Sequence, residues 1–110
     1  MFSINNNEIE ITRGDSAVIN LTAENYIFKE GDTIYFTVKE SVYSKNVLIQ
    51  KVIEIAEEVE SIQIKLEPSD TKELKYRDYV YDVQLVFANK DVNTIISPSK
   101  FNVCEEVTYE

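Results

Sequence analysis

Apolar and polar residues alternate with a period of two along most of the chain. That is the spacing of strands with one buried face. Residues 8–12 run Glu-Ile-Glu-Ile-Thr and put Ile9 and Ile11 on one side. Arg13, Gly14, Asp15 and Ser16 read as a turn, because Gly frees the backbone and Asp can bond to its own chain. Ala17, Ile19 and Leu21 form the inward set of the next strand. Glu30, Gly31 and Asp32 predict a second turn, after which Ile34, Phe36 and Val38 alternate with polar neighbours. The nearly continuous apolar run 47–55 and the alternating run 60–66 predict two strands paired as a hairpin across an acidic turn. Pro68 to Thr71 predicts one helical turn, with Pro at its start and Ser or Asp able to cap it. Leu74 is expected to plug this turn into the core. Tyr79, Tyr81, Val83, Leu85 and Phe87 share one face of the longest predicted strand, and Val80, Asp82, Gln84 and Val86 share the other. Asn89, Lys90 and Asp91 read as a turn before strands at 92–96 and 101–103, and residues 105–110 as a tail.

These elements amount to about eight short strands at roughly ten-residue spacing with one helical turn. The pattern predicts an all-β fold, an antiparallel immunoglobulin-like β-sandwich forming a single domain over residues 1–110. Tyr79 fits the corner position of such domains, where a ring packs in the core and its hydroxyl bonds upstream backbone. Tyr81 stands where antibody domains carry a cysteine, so an aromatic ring would fill the space between sheets. Leu74, Tyr79 and Tyr81 are therefore the expected structural corner.

Charge and composition narrow the chemistry. Eleven Lys and Arg against 20 Asp and Glu give a net charge of −9. A nucleic-acid partner needs clustered basic residues, and an anionic membrane surface is disfavoured on the same ground. Neither is expected. No apolar run is long enough to span a bilayer, and residues 1–11 lack the basic and apolar regions of a signal peptide. Cys104 is the single cysteine, so no intrachain disulfide is available, and there is no His for a nucleophile triad or an imidazole-bearing metal site. Glu54, Glu57, Glu58 and Glu60 lack the alternating spacing and turn glycine of a calcium loop. No cofactor, metal or catalytic residue is expected, and the chain is read as non-enzymatic. Asp82 is the carboxylate of most interest, and it reads as a solvent-side strand residue. Arg13-Gly14-Asp15 spells an integrin-binding tripeptide but is read as the turn it forms.

Ordered blocks carry a family resemblance. They are Ile11-Thr12-Arg13-Gly14-Asp15-Ser16; Gly31-Asp32 followed by Ile34 to Lys39; Asp70-Thr71, Leu74 and Tyr79 to Leu85; Asn93-Thr94-Ile95; and Phe101-Asn102-Val103 with Glu106-Val107-Thr108. Together they resemble the N-terminal domain of phage baseplate upper proteins and related immunoglobulin-like domains of phage and prophage structural modules. The similarity runs from about residue 11 to 108. The chain departs from it at Asp78 and at Pro98-Ser99-Lys100, where such domains often carry Gly. The resemblance implies a virion protein, assembled in the bacterial cytoplasm, that binds other phage structural proteins as a tail or baseplate component and forms a homo-oligomer. The expected interface strands are the first and the last, represented by Phe2, Ile4, Ile9, Ile11, Phe101, Val103 and Val107, because an edge strand can accept a neighbour's strand. The alternative is a carbohydrate- or host-surface-binding module in which Tyr26, Tyr35 and Tyr43 would stack on sugars. The absence of Trp weakens that alternative.

Overall fold

The computed structural model describes residues 2–5 as backbone and residues 7–108 in full. The side chains of Phe2 and Ile4, and Tyr109, lie outside the described residues. The chain is all-β. The strands are β1 (Phe2–Asn5), β2 (Glu8–Thr12), β3 (Ala17–Leu21), β4 (Thr33–Lys39), β5 (Ile49–Glu54), β6 (Ile62–Leu66), β7 (Arg77–Val86) and β8 (Val92–Cys104). One helical turn, α1 (Pro68–Thr71), separates β6 from β7.

Six strands form one sheet in the order β1-β2-β8-β7-β4-β5, and β3 and β6 form a second. The inward residues of both sheets join in one hydrophobic cluster, with Phe28, Phe36, Phe101, Ile64 and Leu66 completely buried. Alternation explains this directly: β3 and β6 each bury their first, third and fifth residues and expose the others. Each such side chain contributes about 1.5–3 kcal/mol, and the cluster binds the two sheets together without a disulfide.

Four expectations are corrected. The larger sheet is mixed, because β2 runs parallel to β8 with Ile9 opposite Phe101 and Ile11 opposite Val103. A purely antiparallel arrangement is thus excluded. Residues 2–12 make a hairpin instead of one strand, turning at Asn7 with φ 68°. That turn leaves β2 running beside β8 in the same direction, and a parallel pair is feasible because the rest of the domain connects the two.

The expected hairpin of 47–55 with 60–66 does not form. β5 pairs with β4, from Thr33 opposite Glu54 to Val38 opposite Ile49, whereas β6 pairs with β3. The acidic segment between them crosses from one sheet to the other. It is anchored by a bridge between Phe28 and Val59 and by Ile55, whose N–H donates to the Asp32 carbonyl at 2.9 Å. The two last predicted strands are one continuous β8 of 13 residues, longer than the 10 of β7. Its register against β7 slips between Tyr81 and Val83 and again between Val83 and Gln84. Pro98 lies within the first slip, a position that tolerates a residue without an N–H.

Candidate interaction surface

The corner before β7 is built by α1. Asp70 accepts a hydrogen bond from the Glu67 N–H at 2.7 Å and pairs with Lys51 at 2.8 Å, holding the turn against β5. Tyr79 is buried, and its hydroxyl donates to the Lys75 carbonyl at 2.8 Å, four residues upstream. Leu74 is half-buried against the core. Tyr81 lies between Phe36 and Phe101, with ring centroids 5.3 and 6.2 Å away, and its hydroxyl donates to the Asn7 carbonyl. Burial pushes the Tyr81 hydroxyl up to about 12.

Thr71, which the sequence pattern did not single out, is completely buried at this corner. Its hydroxyl oxygen accepts from the Gly14 N–H at 2.8 Å and ties the turn after β2 to α1. Arg13 occupies the same place. Its Nε donates to Glu106 at 2.9 Å, one terminal nitrogen donates to the Leu74 carbonyl at 3.1 Å, and its guanidinium lies 4.2 Å from the Tyr76 ring centre. The Tyr76 hydroxyl donates to the same Glu106 carboxylate at 2.6 Å. These hydrogen bonds from Tyr76 and Arg13 hold the Glu106 carboxyl below its ordinary range. The Arg-Gly-Asp segment is a structural turn whose arginine serves this clasp, and Gly14 carries a φ of 85° there.

A second tyrosine–carboxylate pair lies at the far end of β7. Asp32 is buried, accepting from the Tyr26 hydroxyl at 2.6 Å and from the Lys29 N–H at 2.9 Å. Burial, then the Asp32 hydrogen bond, pushes the Tyr26 hydroxyl up to about 12.

Four of the seven residues expected at an interface are core residues of this chain. Ile9, Ile11, Phe101 and Val103 are each at most 1% exposed, and their strands pair with one another. Position 101–104 of β8 is flanked by β2 and β7, so it is interior to the sheet, not an edge. The physical reason is that these side chains supply core, and hydrophobic alternation marks burial without telling core from contact. Of the two strands named, the outer edge belongs to β1, which carries Phe2 and Ile4. Val107 is fully exposed.

The outer face of the large sheet carries a groove of about 380 Å³, floored by Thr37, Gln50, Asp82 and Gln84 and walled by Val42, Val47 and Pro98. Asp82 is half-buried there, opposite Thr37 in the register. Burial raises its carboxyl above the ordinary range, against the lowering influence of Lys39. Of the tyrosines considered for stacking, Tyr43 is 91% exposed, whereas the Tyr26 ring packs edge-on against Phe28 and Phe87. Tyr26 therefore has its ring and hydroxyl engaged within the chain. Among the described residues, no group of three or more His, Cys, Asp or Glu side chains is placed to hold a metal, and no helix is long and apolar enough to cross a membrane. Neither a protein-family model, nor a curated protein, nor a solved structure matches the chain.

Proposed function

We propose that this chain is a non-enzymatic structural or adaptor domain of a phage or prophage particle, a tail or baseplate component that assembles with other particle proteins. The observation that carries the reading is the strand arrangement around the tyrosine corner. The order β8-β7-β4-β5 facing β3-β6 supports it, because immunoglobulin-like domains set G-F-C-C′ strands against B and E. Tyr79 occupies the corner expected of strand F, with its hydroxyl on the backbone just upstream. Both features support the architecture that the resemblance of blocks 11–16, 70–85 and 101–108 implies. The net charge of −9 suits a basic partner surface and makes the association salt-sensitive. The sugar-stacking alternative draws less support, because Tyr26 is engaged within the chain.

The test is where the protein resides after prophage induction or infection. Particles banded on a density gradient are probed with an antibody to the chain. Recovery with intact particles and gold labelling at the tail are expected. Recovery only in the soluble fraction overturns the reading.

A further inference from the structure

We infer that the free edge of β3 is a self-association surface, which pairs antiparallel with β3 of a second copy to give a continuous sheet β6-β3-β3′-β6′. The inference rests on the reading of the chain as an assembly domain and names the surface and partner it uses.

The argument compares the sheet edges. An open edge attracts another strand unless charge, proline, a bulge or an inward-pointing charged residue blunts it. β5 is blunted by Lys51, which lies between the core-side residues Ile49 and Ile53 on the inner side of an edge strand and is held by Asp70. The part of β8 beyond the reach of β2 is broken by two register slips and by Pro98. β1 is only four residues long, and Glu8 and Glu10 stand opposite Asn5 and Ser3 on its neighbour. β6 carries Lys65. β3 has none of these devices: its five residues, Ala-Val-Ile-Asn-Leu, are uncharged, and its register with β6 runs without a slip from Ala17 opposite Leu66 to Leu21 opposite Ile62. Among the described residues β3 pairs with no strand but β6.

Charge then selects a second copy as the occupant. Two chains of net charge −9 repel wherever their carboxylates meet. The β3–β6 sheet has no acidic residue in either strand and one lysine, so it is a surface on which two copies can approach. An antiparallel edge is also self-complementary about a two-fold axis. With that axis at Ile19, Val18 faces Asn20 of the second copy. Val18 is 43% exposed in one chain, and the pairing sets Asn20 of the second copy beside it.

Val18→Glu separates this surface from the fold. Within one chain Glu at 18 stands opposite Lys65, a favourable cross-strand pair. Between copies it places two carboxylates about 7–8 Å apart, diagonal across the new pairing. Light scattering coupled to gel filtration is run on the wild type, on Val18→Glu and on Val52→Glu, which charges the exposed face of β5. Urea denaturation checks that each variant folds. The wild type is expected to dimerise with rising concentration. Val18→Glu is expected to weaken the dimer about tenfold or more, and Val52→Glu to leave it unchanged. A wild type that stays monomeric to about 1 mM, or an association that survives Val18→Glu, overturns the inference; survival would assign the contact to another edge. A monomer that nonetheless travels with particles sinks the β3 contact alone, whereas a β3 dimer absent from particles sinks the particle reading alone.

Discussion

The two ends of β7 carry the same hydrogen bond in different surroundings. At one end the Tyr76 hydroxyl donates to Glu106, and at the other the Tyr26 hydroxyl donates to Asp32, both at 2.6 Å. Glu106 also holds a guanidinium, and Tyr76 is exposed. Asp32 is 3% exposed, and among the described residues its hydrogen-bond partners are a phenol and a backbone N–H, with no cation. The ion pair at the first end looks stronger on paper. The Arg13–Glu106 pair is itself largely covered, its side chains 20% and 9% exposed, but water reaches it through the exposed Tyr76 and the open side of Arg13 and competes there more than at Asp32. The Asp32 end should therefore dominate stability.

Asp32→Ala is the severest test of that difference. It strips the partner from the Tyr26 hydroxyl and the Lys29 N–H in a covered site, and should cost about 3 kcal/mol in urea denaturation. The loop it organises is tightly set. Gly31 has a φ of 95°, and a Cβ there would lie 2.9 Å from the Ala88 Cβ. A cost below that of any corner variant would break the comparison.

Thr71→Val sharpens it at the other end. Thr71 is neutral but completely buried, and its removal orphans the Gly14 N–H. A loss of about 1–2 kcal/mol is expected. If burial is the governing variable, this uncharged change exceeds the loss of the Glu106 ion pair beside it.

How much of this was readable in advance follows from what alternation encodes. Period two assigned faces correctly in β3, β4, β6 and β7, because burial of every second residue leaves a direct imprint on composition. It does not encode partners. Residues 49–54 and 62–66 each show a buried face, yet they belong to different sheets, and nothing in either run distinguishes a neighbour in sequence from a neighbour in space. Ile9, Ile11, Phe101 and Val103 are expected at an interface and lie in the core for the same reason. Thr71 and Asp32 escaped because a polar residue near Pro or Gly reads as turn chemistry, and their burial depends on the tertiary fold. Arg13 and Glu106 are 93 residues apart, so their pairing had no local signal. The Val18–Lys65 register on which the proposed dimer test depends is likewise a property of the assembled sheet.

Alkaline titration probes the half-buried Tyr26 and the buried Tyr81. Tyr26 and Tyr81 have hydroxyls pushed up to about 12 from the ordinary value of 10. The folded state therefore holds protons that the unfolded state releases first. Their contribution is complete below about pH 10 and is lost as the pH rises toward 12. Stability should fall across that window, with tyrosinate absorbance from these two rings appearing together with unfolding. Tyr26→Phe should flatten the fall. A full tyrosinate signal near pH 10 with the fold intact would contradict the burial of Tyr81 and the covered Asp32 hydrogen bond of Tyr26.

Glu106→Gln is expected to have the smallest effect. It removes the charge but keeps an oxygen that can accept from Tyr76 and Arg13. The native carboxyl is held below its ordinary range, so the stability it supplies is present above the unfolded value and is lost as the pH falls through the folded one. The substitution should therefore flatten the acid side of the stability profile and leave the alkaline side untouched. Its effect on the urea midpoint should shrink modestly as salt is added, since the pair is only partly covered and salt still screens it from the Arg13 side. Asp32→Ala should show little of that salt dependence, because its cost comes from desolvated hydrogen-bond donors. Equal salt sensitivity at the two sites would mean that water reaches Asp32 as freely as Glu106, and the contrast between the ends of β7 would collapse.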